Sequence, residues 1–178
     1  MLPPGHIAGG YLVGTLIQSV IHRFFPGVET PNLPLLGVIF GTIPDFDYFY
    51  TFFKYSFTPD SEGSNHRNYP SHVPWIWLLI SVIFCYFFPE RIFTWLMLWL
   101  GSWTHFMLDS LQFGIMWAWP LSEKRFALRS FTKRPAKSHT GFFSYWWNFL
   151  SHYPRELTFT FTSEALLIVI ALFVYFNT

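Results

Sequence analysis

Five apolar runs of helical length dominate this chain, at about 6–24, 33–53, 73–88, 92–112 and 157–176, each bounded by prolines, charges or aromatic residues. A hydrocarbon layer about 30 Å thick takes roughly 20 residues per helical crossing. The runs therefore predict an all-α, polytopic membrane helix bundle with about five transmembrane helices. Composition agrees: 12% of the 178 residues are charged and 23% are aromatic, whereas soluble domains carry roughly 25% charged residues. Two runs are interrupted, one diluted by Gly9, Gly10 and Gly14 and the other broken by Pro44, Asp45 and Asp47. Such breaks at membrane depth need protein around them.

A net charge of +1 gives no polyelectrolyte character, which argues against nucleic acid as a partner. The single cysteine, Cys85, excludes an intrachain disulfide framework and a multi-thiolate zinc site. The opening MLPPGHIAGGYLVG lacks the basic stretch and cleavage site of a signal peptide and is expected to be retained. Six of the eleven Lys and Arg residues (Lys124, Arg125, Arg129, Lys133, Arg134 and Lys137) cluster at 124–137, between the fourth and fifth runs. By the positive-inside rule that segment is cytoplasmic, and alternation of spans then puts the N-terminus on the same side. The resulting division is one integral membrane domain over 1–178: a core at 1–122, a basic cytoplasmic segment at 123–156 and a last span at 157–176.

The informative residues are the polar ones inside the apolar runs. Asp45, Asp47, Asp109 and Glu164 would together cost on the order of 12 kcal/mol if isolated in lipid, at about 3 kcal/mol each. Bare carboxylates brought together also repel, so a cation is the natural remedy. His6 opens the first run, Asp45 and Asp47 come late in the second, His66 and His72 precede the third, and His105 and Asp109 come late in the fourth. Antiparallel threading puts all seven at the cytoplasmic end. His105 and Asp109 are four apart and share a helical face. Asp45 and Asp47 are two apart, so a kink at Pro44 is needed to turn both inward, or one of them orients a histidine from behind. Nitrogen and carboxylate donors without thiolate suit zinc first, with manganese or iron as alternatives, as one or two ions. Glu164 stands between a role in this site and a pairing with Arg155, while His22, His139 and His152 are read as ordinary polar residues.

With these residues in view, the chain resembles the family of LexA-regulated, membrane-bound, predicted metal-dependent hydrolases, the YdjM-like bacterial inner-membrane proteins. The resemblance is carried by GHIAGG, IPDFD, HRNYPSH, GSWTHFMLDSLQFG and the following WPL, and so covers about residues 1–122. It implies a polar site of His6, Asp45, Asp47, His66, His72, His105 and Asp109, with Gly114 and Pro120 as structural markers. It also implies a multi-pass protein of the bacterial inner membrane. The chain departs from the family pattern at Asn68, Ser71 and Val73, where Gly, Thr and Ser are common.

Such a site points to hydrolysis, because a cation held by His and Asp activates water near neutral pH. The catalytic candidates are Asp47, Glu164 and Arg67, the last able to hold a phosphate bidentately. A site near the interface is open to membrane lipids, so a lipid phosphoester or ester, or another amphiphile, is the leading substrate class, with Trp117 and Trp119 as candidate entry residues. The alternative is a small metal-ion or proton transporter or sensor using the same His/Asp cluster.

Overall fold

A computed structural model describes residues 2–48, 50, 66–111, 113–129, 147, 151 and 158–178. It is helical: α1 spans Pro3–Phe24, α2 Leu33–Thr42, α3 Pro74–Phe87, α4 Ile92–Ser110 and α5 Thr158–Asn177. No β-sheet forms among the described residues; a lone antiparallel bridge joins Ile115 to Phe126. Of the expected basic segment, Lys124, Arg125 and Arg129 are described and exposed, whereas Lys133, Arg134, Lys137, His139, His152 and Arg155 lie outside the described residues.

Prolines set most helix limits. Pro3 and Pro4 occupy the first turn of α1, where an N–H would have no partner, and Pro74 opens α3 in the same way. Asn32 caps α2 through its side chain, which accepts from the Leu35 N–H at 3.0 Å. Gln18 on α1 reaches the same helix end, accepting from the Leu33 N–H at 3.2 Å. Pro44, lacking an N–H, ends α2 in a 3-10 turn over Ile43–Asp45. The apolar run from 33 onward is thus a regular helix of only 10 residues, about 15 Å long.

That shortening leaves α2 too short to cross a membrane unaided. Among the described helices, α5 alone is both long and apolar enough to cross a membrane by itself, over Phe159–Asn177 with mean hydropathy 2.0. α3 is apolar but has 14 residues. α1 and α4 have the length, with 22 and 19 residues, but glycine, histidine, serine and threonine lower their hydropathy. The five described helices thus differ in reach, and length and hydropathy by themselves make a span of only one.

α1 and α2 pack backbone to backbone. A Cβ on Gly10 would lie 2.2 Å from the Gly37 carbonyl oxygen, one on Gly37 2.0 Å from the Gly10 oxygen, and one on Gly14 2.3 Å from the Leu33 oxygen. Gly10 and Gly14 are four apart on α1, as are Gly37 and Gly41 on α2, so each helix presents a small-xxx-small stripe to the other. Gly101 of α4 meets Phe40 and Gly41 in the same seam. Away from it, Ile21, Leu33 and Met97 form a small apolar cluster. Much of the remaining interior is polar, including His6, Arg67, His72, Ser102, His105, Asp109 and Glu164, while large apolar side chains such as Leu79, Val82, Phe87, Val169 and Phe173 are exposed.

The beginnings of α1, α3 and α5 and the ends of α2 and α4 meet at one pole. After α4 the chain folds back on it: the Ile115 and Phe126 backbones exchange hydrogen bonds, and Leu128 N–H donates to the Ser110 carbonyl at 2.7 Å. Trp117 donates to the Ser110 hydroxyl and stacks edge-on with Trp103, which also meets Trp75 and Trp99. Trp117 thus serves as packing, whereas Trp119 is exposed.

Candidate metal centre

His105 and Asp109 lie on consecutive turns of α4, facing the end of α2, and both are fully buried. The last carbonyls of a helix have no partner within it, and one of these, on Gly41, accepts a hydrogen bond from the His105 Nδ1–H at 2.9 Å. A carbonyl only accepts, so Nδ1 carries the proton and Nε2 the lone pair. That Nε2 is buried and makes no hydrogen bond among the described residues.

The 3-10 turn at Pro44 delivers Asp45 and Asp47 to opposite sides of one imidazole. Asp47 Oδ2 stands 3.0 Å from His72 Nδ1 and also accepts from the Ser71 hydroxyl. Asp45 Oδ1 stands 3.5 Å from His72 Nε2 and 3.5 Å from His105 Nε2. Asp47 is therefore the orienting carboxylate behind His72, and Asp45 the one on the donor side. Burial disfavours the charged His72 ring, but Asp45 and Asp47 outweigh it and hold its pKa above the ordinary histidine value. A cation and a proton compete for this ring.

His6 completes the cluster from the first turn of α1. Its ring stacks on His105 at 3.8 Å between centroids, and its Nε2 lies 3.4 Å from Asp109 Oδ1 and 3.9 Å from Asp45 Oδ2. Neither ring nitrogen of His6 makes a hydrogen bond among the described residues. Two overlapping sets result, His6 with His105 and Asp109, and Asp45 with His72 and His105, each with its donor atoms within 4.8 Å of one another. Two donors about 2.1 Å from one tetrahedral metal are about 3.4 Å apart, close to the 3.4–3.5 Å of three pairs here, with His105 Nε2 somewhat farther from Asp109 Oδ2 at 4.0 Å. Buried imidazole nitrogens lacking hydrogen bonds, at that spacing and beside carboxylates, fit a divalent cation.

Arg67 is placed differently from a free phosphate clamp. It is buried, with Nε 2.5 Å from Asp109 Oδ2 and its guanidinium 4.3 Å from the centroid of Phe113. Asp109 thus turns one oxygen to His6 and the other to Arg67. Glu164, buried on α5, accepts from the Gly5 N–H at 3.0 Å and the Leu2 N–H at 3.4 Å, so its carboxylate lies on the first turn of α1. The expected partner Arg155 and the side chain of His66 are outside the described residues. At the opposite pole, the His22 ring bonds Thr30.

Asp47→Asn tests the orienting role, because it removes the charge behind His72 and leaves every donor in place. Metal affinity, measured by competition with a chelator, is expected to fall roughly 10–100-fold; an unchanged affinity would mean that His72 is held by other contacts.

A helical chain with a one-ended His/Asp cluster defines a class of candidate metal-binding membrane proteins. The model of the YdjM inner membrane protein family matches residues 1–178, and the chain belongs to that family. The match extends through 123–178, where the sequence offers no recognisable motif. Neither the curated proteins nor the solved structures contain a match.

Proposed function

We propose that the protein is a multi-pass inner-membrane metal-dependent hydrolase acting on a phosphoester or ester of a lipid or similar amphiphile. The observation that carries this reading is the pair of overlapping donor sets sharing His105. His6, Asp45, His72, His105 and Asp109 hold the cation, with zinc first and manganese or iron as alternatives. When bound, it supplies a Lewis acid that makes water a competent nucleophile near neutral pH. Asp47 and Ser71 keep the proton on His72 Nδ1 and the ring aimed inward. Arg67 fixes Asp109 and adds positive charge beside it, which favours an anionic substrate group. Asp45 is the candidate ligand with the greatest side-chain exposure, at 22%, and marks the side from which a substrate approaches.

The exposed apolar faces of α3 and α5, with the polar interior, support embedding in lipid. Within such a bundle the shorter α2 is shielded by α1 and α4. The basic residues after α4 favour a cytoplasmic position for the site pole.

The test is incubation of zinc-loaded protein with a panel of native lipids, with products read by mass spectrometry. Headgroup or acyl release is expected from the wild type and is lost in Asp45→Asn at equal protein. Metal flux into liposomes without lipid turnover would instead favour transport and end the hydrolase reading.

A further inference from the structure

His6 differs from the other two histidines of the centre in how it is held. His72 is oriented through Nδ1 by Asp47, and His105 through Nδ1 by the Gly41 carbonyl. His6 Nδ1 makes no hydrogen bond among the described residues. Its aim therefore depends on ring packing against His105 and on the position of its own backbone, the first turn of α1.

From within, that turn is held by the Leu2 carbonyl, which accepts from the Gly5 N–H at 3.0 Å and the His6 N–H at 3.4 Å, and no side chain of α1 caps it. Its N-cap residue is Leu2, whose side chain makes no capping bond, and Pro3 and Pro4 carry no N–H. The cap comes from α5: Glu164 receives the Leu2 and Gly5 N–H groups, one on each carboxylate oxygen. An anion at a helix N-terminus is favoured by the helix dipole as well as by these bonds. The fit is close, since a Cβ on Gly5 would stand 3.0 Å from both Glu164 Cγ and Oε1. His6 follows Gly5 directly.

We infer that Glu164 is a positioning residue for the metal centre, fixing the first turn of α1 and through it the His6 imidazole, so that the last helix is coupled to the centre without supplying a ligand. The inference rests on the metal reading above.

Zinc affinity by chelator competition and the visible absorption of the cobalt-loaded protein are compared for the full-length wild type, Glu164→Ala, Glu164→Gln and Leu167→Ala. Leu167 packs near Gly9 on the same pair of helices but takes no part in the cap. Glu164→Ala is expected to weaken zinc roughly 10–100-fold, as loss of an orienting partner does, to alter the cobalt spectrum and to speed hydrogen exchange at the Gly5 and His6 amides. Glu164→Gln keeps an acceptor and recovers most of the affinity, and Leu167→Ala stays near wild type. Wild-type affinity in Glu164→Ala, or an equal loss in Leu167→Ala, overturns the inference. A wild-type chain that binds neither ion removes the metal reading itself, while amide exchange in metal-free protein still decides whether Glu164 holds the turn.

Discussion

His105→Ala is expected to purify without bound metal, with affinity reduced more than about 100-fold, beyond what loss of an orienting partner causes. His105 is the residue common to both donor sets, so its removal takes one ligand from each and leaves only two residues in either set. The imidazole is also the surface on which the His6 ring stacks, so the second histidine loses its packing. Elemental analysis after mild purification, beside the wild type, reads the result. Metal retained at wild-type stoichiometry in this variant would place the ion elsewhere.

Gly37→Ala is expected to be as damaging to the fold as His105→Ala is to the centre. Its single methyl group would stand 2.0 Å from the Gly10 carbonyl oxygen, inside contact distance of a backbone atom that no rotamer change can move. The helices must part, and overpacking of this kind costs about 3 kcal/mol. The His6 backbone carbonyl lies near Gly41, one turn along the seam, so metal retention falls with stability. Denaturation of the two proteins in the same detergent checks this; equal midpoints would mean that the seam yields cheaply.

The sequence discloses the membership of the site better than its wiring. His6, Asp45, His72, His105 and Asp109 are legible because they fall alternately at the start and the finish of successive apolar runs, and antiparallel threading stacks those ends. What is not legible is which atom faces which. Asp45 and Asp47 are chemically identical and two residues apart; only the 3-10 turn at Pro44 and the position of His72 put one on each side of the ring. Arg67 and Asp109 are 42 residues apart, and Glu164 meets Gly5 across 159 residues, separations at which local spacing carries no information. Gly10 and Gly14, read as dilution of a hydrophobic run, carry a second meaning in their four-residue spacing, repeated at Gly37 and Gly41. That repeat was the available signal for the α1–α2 seam. Pro44 is visible as a break, but only the folded chain shows that it shortens α2 to about half a membrane thickness.

The glycine seam also acts as a gauge. Contacts between side chains can loosen by exchanging rotamers, but Gly10 and Gly37 meet through their main chains and have no such freedom. Through this seam the α1 backbone bearing His6 and the α2 carbonyl that aims His105 are set at a fixed separation. Were the centre to hold cations of different radius, the part with room to adjust would be Asp45, whose side chain is partly exposed and lies on the turn beyond the seam. Discrimination by ionic size in such a centre would then rest on the backbone of two helices and one carboxylate.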